Sequence, residues 1–369
     1  MRERLDVIVL GLGPAGASAA AAAAAAGLSV RAFERRAVAG QPVQCAELVP
    51  GLIGQDVAAF AAARTQSVRR MTTTVEHEAP DETAPFPGHM IDRARFDADL
   101  VAAAREAGAD CRLGTRVVAV DTHAGEVATA DGAWHAARVL IGADGPRSAL
   151  GRALGAVNTA LVHARQLSVA LRAASDSTDI FLAADYPGGY GWLFPKGMRA
   201  HVGIGVEAIA RSRLPALLDG LLAELVANGR IAPPDATARA SLTGGLIPVG
   251  GRVPAAHRRG ATLGLLAGDA AGLANPVTGA GIHAALVSGR LAGEAAAAWL
   301  GGDDAAGADY EAELDDCFGA ALARALARRA ALRAVARTRA PSADEQRAAW
   351  IAYPAYWAAT PTLTGEAHA

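Results

Sequence analysis

Two neighbouring residues and three scattered acids have types and spacings suited to chemistry. Cys45 and Glu47 lie two apart in the loop Gly40-Gln-Pro-Val-Gln-Cys-Ala-Glu-Leu-Val-Pro50, which Pro42 and Pro50 punctuate. A thiol there can donate or relay a proton; otherwise it is a small buried apolar group. Glu47 can orient that thiol or cap a helix. The acids Glu34, Asp144 and Asp269 each follow an apolar run that reads as a strand, over residues 28–33, 138–141 and 261–266. At a strand end a carboxylate can accept hydrogen bonds from sugar hydroxyls, although a lone Asp-Gly or Gly-Asp is ordinarily a turn.

Gly11, Gly13 and Gly16 set these acids in context. They form G-x-G-x-x-G with Pro14 and Ala15, between the apolar run 7–10 and an alanine-rich helix. Gly11 permits the tight turn, Gly13 lets a pyrophosphate approach the backbone, and Gly16 lets helix and strand pack closely. The helix N-terminus adds free N–H groups and a positive dipole end. Glu34 follows Gly11 by 23 residues, the spacing of a ribose-binding acid. This segment alone predicts a dinucleotide, NAD or FAD alike.

Further segments select FAD. Arg95, in Asp92-Arg-Ala-Arg-Phe-Asp97, lies near the start of a helix expected to run to about Ala107, where an arginine can neutralise a diphosphate. Asp144-Gly145 and Gly268-Asp269 supply strand-end acids. Pro276, Gly279, Ala280 and Gly281 precede a small-residue helix whose N-terminus could face the pyrimidine side of a flavin. Arg35, beside Glu34, and Val118, on a short strand expected at 115–121, complete the expected contact set.

These motifs must be positioned by elements of two kinds. The N-terminal and late segments alternate strand and helix, as in an α/β unit. Residues 166–206 carry short strands at 167–171, 180–183, 191–194 and 200–206, the pattern of an antiparallel lobe. The expected division is a discontinuous FAD-binding domain (1–64, 91–160 and 251–303), a substrate domain (65–90 and 161–250) and a C-terminal helical segment (304–369). The expected fold is α/β (α+β overall). A strand is also expected at 67–75, a surface loop or hairpin at 76–88, an amphipathic helix at 215–228, and no packing beyond Pro354.

The 369 residues suffice for a large core in two or more lobes. A net charge of −2 gives no reason to expect a nucleic-acid partner. Three cysteines, an odd number in a long chain, suggest free thiols in a reducing compartment. Lys196 is the one lysine among 35 basic residues. Residues 7–30 carry no charge and mimic a signal peptide or membrane span. Gly11, Gly13 and Pro14 would break such a span, so a cytoplasmic, uncleaved chain is expected, with peripheral membrane contact as an option. No metal cluster is expected.

With these segments assembled, the chain resembles the FAD-binding fold of para-hydroxybenzoate hydroxylase and its relatives over roughly residues 5–300. That resemblance implies a Rossmann-like FAD lobe and a sheet lobe forming the substrate face. It places Glu34 on the adenosine ribose, Arg95 near the diphosphate, Asp269 on ribityl or diphosphate, and Pro276–Gly281 beside the isoalloxazine. Pro42-Val-Gln-Cys45-Ala-Glu47 and Pro187-Gly-Gly-Tyr190-Gly-Trp192-Leu-Phe194-Pro195-Lys196 further resemble the geranylgeranyl reductase family, whose versions commonly read P-x-x-C-G-E and Y-x-W-x-F-P. Ala46 departs from the usual glycine. The family resemblance implies an apolar cavity reaching the flavin, lined by the cysteine loop and by the strand that carries Tyr190, Trp192 and Phe194. There Cys45, if near flavin N5, could relay a proton or steer the substrate, and Lys196 is either a flexible ammonium near the pocket or a chance survivor.

The expected reaction is reduction of carbon–carbon double bonds in an isoprenoid-like, apolar small-molecule or lipid substrate by reduced flavin. Lacking a second G-x-G-x-x-G, the chain would draw electrons from transiently bound NAD(P)H, ferredoxin or another carrier. Two rivals are a flavin monooxygenase (hydroxylase) of an aromatic or protein-bound substrate, and a flavoprotein electron carrier. A halogenase would show W-x-W-x-I-P, but Tyr190 and Phe194 hold the first and fifth positions. The aromatics Trp350, Tyr353, Tyr356 and Trp357 are expected to cover the cavity mouth or touch lipid.

Overall fold

The uncharged N-terminal run folds as strand Arg4–Leu10, helix Pro14–Ala25 and strand Val30–Phe33. The structure, a computed structural model, describes residues 4–51 and 58–358. Five strands lie parallel in the order Asp110–Arg112, Val30–Phe33, Arg4–Leu10, Trp134–Gly142, Thr262–Leu266, and Ala256–Arg259 closes one edge antiparallel. Val7, Ile8, Val9, Val139, Leu140, Ile141 and Leu265 are all buried, as a parallel sheet covered on both faces requires. Leu10 registers with Phe33 on one side and with Gly142 on the other, and Gly142 registers with Leu266. The four strands therefore end in one row. The glycine turn and the three strand-end acids, far apart in sequence, share that carboxyl edge, the side on which open α/β sheets take ligands.

The alanine run has a packing role. Helix Pro14–Ala25 lies against helix Ile282–Leu300, and a Cβ at Gly289 or Gly293 would collide with the backbone of Ala15 or Ala19. The two helices approach so closely that only small side chains fit between them.

The second sheet has seven strands, in the order Thr243–Pro248, Leu161–Ala170, Arg199–Glu207, Gly191–Lys196, Ser177–Leu182, Arg70–Val75, Asp81–Thr83. It is antiparallel except where Ser177–Leu182 runs parallel to Arg70–Val75. One face packs on helix Leu214–Ala227 through Leu167, Val169, Leu193, Val202 and Ile204. The other face turns toward the first sheet's carboxyl edge. A small third sheet joins Leu48–Pro50, Gly88–Ile91 and Arg64–Val68.

Some expected elements differ. The single strand at 67–75 is two strands, Arg64–Val68 and Arg70–Val75, in different sheets. The chain changes sheets at Arg69, a switch that periodicity does not reveal. The stretch 76–88, expected as a hairpin or surface loop, takes the hairpin form, with Asp81–Thr83 returning antiparallel along Arg70–Val75. The tail also packs: Pro354–Trp357 is a helical turn that buries Tyr356, so the lack of packing expected beyond Pro354 is corrected. Residues from 359 onward lie outside the described part. Among the described residues no helix is long and apolar enough to cross a membrane.

Candidate active site

The three glycines of the first turn do different work. Gly11 has φ +92°, and a Cβ on it would press on the Ala143 carbonyl; one on Gly16 would collide with the Gly11 carbonyl. At Gly13 a Cβ would meet nothing within 4 Å. Two glycines close the strand–turn–helix joint, and the third presents bare backbone to open space. The helix starts at Pro14 with no side-chain cap and no acid in its first turn, so its N-terminal N–H groups remain for an anion.

The acids of this edge are incompletely partnered. Glu34 accepts from the backbone N–H of Leu12 (3.1 Å) and of Arg36 (3.0 Å), which brings it against the glycine turn. Asp144 accepts from Ala149 N–H at 2.6 Å, while its Oδ1 is buried without a partner; burial raises its pKa. Asp269, beside Gly281, is raised to about 6 by burial, against the pull of Arg93. A bare backbone cradle, an uncapped helix start, an orphaned carboxylate oxygen and a desolvated acid suit a ligand carrying a diphosphate and sugar-type hydroxyls. The donor set fits FAD.

Not every expected residue reaches this edge. Arg95 is exposed and pairs with Asp99 at 3.5 Å along its own helix, Arg93–Glu106. Arg93 turns inward instead, gripping Asp97 at 3.0 Å through two nitrogens. Burial opposes its charge, but Asp97 and then the Cys45 sulfur hold its pKa above the ordinary arginine value. Reading Asp92-Arg-Ala-Arg as a surface helix start gave no means of telling which arginine faces in. Arg35 is exposed, and Val118 is exposed on strand Val117–Asp121.

The cysteine loop is held by a charge hub. Glu47 is buried, adopts φ +65°, and accepts three hydrogen bonds: from Arg93 N–H (2.8 Å), Lys196 Nζ (2.7 Å) and His201 Nε2 (2.6 Å). Burial pushes its pKa up, yet these donors together hold it down at about 2. Its backbone N–H donates to Cys45 Sγ at 3.2 Å. The Glu47 carboxylate thus meets the first N–H of helix Arg93–Glu106, while its main chain meets the Cys45 sulfur. The one lysine is its counter-ion. Among the non-glycine residues of the loop the left-handed one is Glu47 and not Ala46, so the loop does not require a glycine at 46. A non-glycine residue at positive φ costs on the order of 1 kcal/mol, which three charge-assisted or helix-capping bonds offset.

The second sheet presents an aromatic wall to this loop. Tyr190, Trp192 and Phe194 share one face, with ring centroids 5.8 Å and 6.2 Å apart in succession. A Cβ at Gly203 would run into the Trp192 ring, so that glycine lets the indole lie flat across the neighbouring strand. Tyr190 donates its hydroxyl proton to the Thr278 carbonyl at 2.6 Å, joining the wall to the Pro276–Gly281 loop. Gly279 faces Ile247 of the edge strand. Gln166 donates through Nε2 to the Cys45 carbonyl at 2.7 Å. Cysteine loop, aromatic wall and the loop before helix Ile282–Leu300 are therefore bonded to one another.

The C-terminal helices complete the enclosure. Arg329, buried on helix Ala320–Ala336, donates to the carbonyls of Gly188 (2.7 Å) and Pro276 (3.0 Å) and pairs with Glu207 at 2.6 Å. Trp350 is buried 4.8 Å from Tyr190, centroid to centroid. Tyr353 bonds Asp81 at 2.7 Å. Of the terminal aromatics only Trp357 is largely exposed, with Arg324 above its ring. Gln166, His201, Arg93 and Arg329 escaped the sequence reading because the partners that bring them to the site lie 46 to 154 residues away.

Comparison with known proteins agrees with this geometry. Residues 161–231 match the family model of the geranylgeranyl reductase catalytic domain. The digeranylgeranylglycerophospholipid reductase 2 of Methanopyrus kandleri is 36% identical over 327 residues, 81% of this chain and 78% of that protein. The digeranylgeranylglycerophospholipid reductase of Methanocella arvoryzae is 33% identical, covering 87% and 86%. Among solved structures, a geranylgeranyl bacteriochlorophyll reductase-like protein from Thermoplasma acidophilum superposes with TM-score 0.80 at 27% identity, covering 96% of this chain and 92% of its own. A probable FAD-dependent monooxygenase from Pseudomonas aeruginosa shares the fold at 18% identity and TM-score 0.66, covering 93% and 98%. The chain belongs to the geranylgeranyl reductase family of FAD-dependent oxidoreductases.

Proposed function

We propose that this enzyme saturates carbon–carbon double bonds in the isoprenoid chains of an apolar lipid, with FAD bound along the carboxyl edge of the parallel sheet. The observation that carries this reading is the enclosure of Cys45 between Arg93, the Glu47 hub and an aromatic wall closed by Trp350. Glu34 would hold the ribose, Gly13 and the uncapped helix start the diphosphate, and Asp269 the ribityl or diphosphate region. Reduced FAD, when bound, would supply one hydride equivalent, two electrons with one proton, to one alkene carbon.

The protein's own task is the other half of the addition. An isolated alkene also needs a proton, and Cys45 Sγ–H is the group suited to give it. The Arg93 guanidinium lies beside the sulfur, and solvent returns the proton. Tyr190, Trp192 and Phe194 align a flat, flexible chain and exclude water, so that reducing equivalents are not lost in side reactions. Electrons come from an external donor such as NAD(P)H or ferredoxin. At the sheet edge, Ile209 (85% exposed) and Leu242 (45% exposed) sit near Arg211, a pairing of apolar tips and cations that suits peripheral contact with an anionic bilayer.

The test is anaerobic, dithionite-reduced enzyme with geranylgeranyl lipid, read by mass spectrometry. The expected result is a gain of 2 Da per double bond, and Cys45→Ala should keep FAD while turnover falls on the order of 100-fold. No saturation, with a long-lived oxygenated flavin absorbance on admitting air, would favour a hydroxylase. Electron transfer to a carrier untouched by Cys45→Ala would favour an electron carrier.

A further inference from the structure

Three buried polar atoms on the wall face find no partner: Thr243 Oγ1, Gln166 Oε1 and Trp192 Nε1. They are not scattered. Thr243 registers with Gln166, Gln166 with Gly203, and Gly203 with Trp192, so the three occupy one row running across the strands. The gap at Gly203 is filled by the indole itself, whose Cζ2–Cε2 edge lies over that glycine, between Trp192 and Gln166 in the row. Gln166 and Trp192 are each 6% exposed, and Thr243 opens onto a cleft lined also by Pro42, Gln44 and Gly245. Burying an unpaired polar group costs about 1–3 kcal/mol, and three in one row of an otherwise apolar wall mark a place built for something polar.

We propose that this row is a subsite for a hydroxyl-type oxygen, bound between Trp192 Nε1–H and Gln166 Oε1 with Thr243 Oγ1 at its cleft end. The chemistry of the two atoms selects the ligand. Indole N–H only donates and the amide oxygen only accepts, so the guest must accept one hydrogen bond and donate another. Water and alcohols do both. An ether, ester or unprotonated phosphate oxygen cannot donate and would leave Gln166 Oε1 bare. Because Gln166 Nε2 holds the Cys45 carbonyl, the guest oxygen sits one residue's length from the loop that carries the thiol. The subsite rests on the reading of this sheet face as the substrate wall. Its source is either an ordered water entering from the cleft or the hydroxyl of an isoprenoid alcohol.

The test needs no turnover, so it stands apart from the outcome for alkene reduction. Deuterated, FAD-loaded enzyme labelled with ¹⁵N-tryptophan gives five indole N–H signals, and Trp192→Phe identifies one of them. A downfield signal with cross-relaxation to water, unchanged by geranylgeraniol, supports the water source. A signal that moves with geranylgeraniol, but not with the matching hydrocarbon lacking the hydroxyl, supports the alcohol. In that case Trp192→Phe should weaken the alcohol about tenfold relative to the hydrocarbon, the size of one hydrogen bond to a neutral group. A non-bonded signal with no water contact and no response to either probe overturns the proposal. Should Trp192→Phe not fold, Trp192→Tyr identifies the same signal by its loss from the five.

Discussion

The two ligand-facing regions of this molecule are built on opposite principles. The carboxyl edge of the parallel sheet is made of backbone: glycines remove side chains, strand ends align, and the acids wait half-satisfied. The cysteine loop and the wall opposite it are made of side-chain pairings, where Glu47 alone gathers a main-chain N–H, a lysine and a histidine. Backbone architecture follows from local sequence, because a glycine's role depends on its immediate neighbours. A charge hub is assembled by tertiary structure from residues 46 to 154 positions apart. One region binds by leaving space, the other by filling it.

Breaking the first region should have the largest effect. Gly16→Ala drives a Cβ into the Gly11 carbonyl, where backbone cannot yield cheaply. We expect loss of about 3 kcal/mol of stability and protein purified without FAD, read from the flavin absorbance of the folded fraction. Glu47→Gln attacks the second region and should cost on the order of 3 kcal/mol, because it strands Lys196 and His201 beside a neutral group. The parent's acid limit sharpens this. With Glu47 held at about 2 against an ordinary 4.5, its contribution is whole above pH 4.5 and disappears as pH falls toward 2. Chemical denaturation at pH 7 and pH 3 should therefore show a smaller acid loss in the variant.

Two gentler substitutions test which arginine matters. Arg93→Met should impair turnover at least tenfold with secondary structure retained, since it removes the cation facing Cys45 and Asp269. Arg95→Met should be nearly silent, because its partner Asp99 is an exposed neighbour and such pairs contribute about 0–1 kcal/mol. Equal effects would erase the distinction drawn between them. The effect at Asp269 shows only as a pH profile. Only its ionised form accepts hydrogen bonds at both oxygens, and burial raises it to about 6. FAD retention during dialysis should be firm above pH 6 and decline below it, and Asp269→Asn should flatten that profile.

Legibility follows the same division. The turn at Gly11–Gly16, the acids at Glu34, Asp144 and Asp269, and the wall strand Gly191–Lys196 lie where periodicity and spacing put them, because each depends on a few adjacent residues. Arg95 was favoured over Arg93 since helix phase alone does not say which side meets a loop 46 residues earlier. The alanine run reads in sequence only as a helix, and its packing role appears only with Gly289 and Gly293 against it. Arg329, on a helix with no site signal of its own, closes the site from the far end of the chain, where Trp350 joins it from the aromatic group expected at the cavity mouth. Tertiary partners, not local propensity, assigned all of these.

The lone lysine has a practical consequence. Lys196 lies on the wall strand and bonds Glu47 on the cysteine loop at 2.7 Å, with its side chain 26% exposed. Amine-reactive reagents thus find one ε-amino group in the whole chain, and it bridges the two halves of the site. The rate of its modification in native protein becomes a clock for their separation. A reagent added in a pulse, with and without lipid, would time the opening of the enclosure without any engineered label.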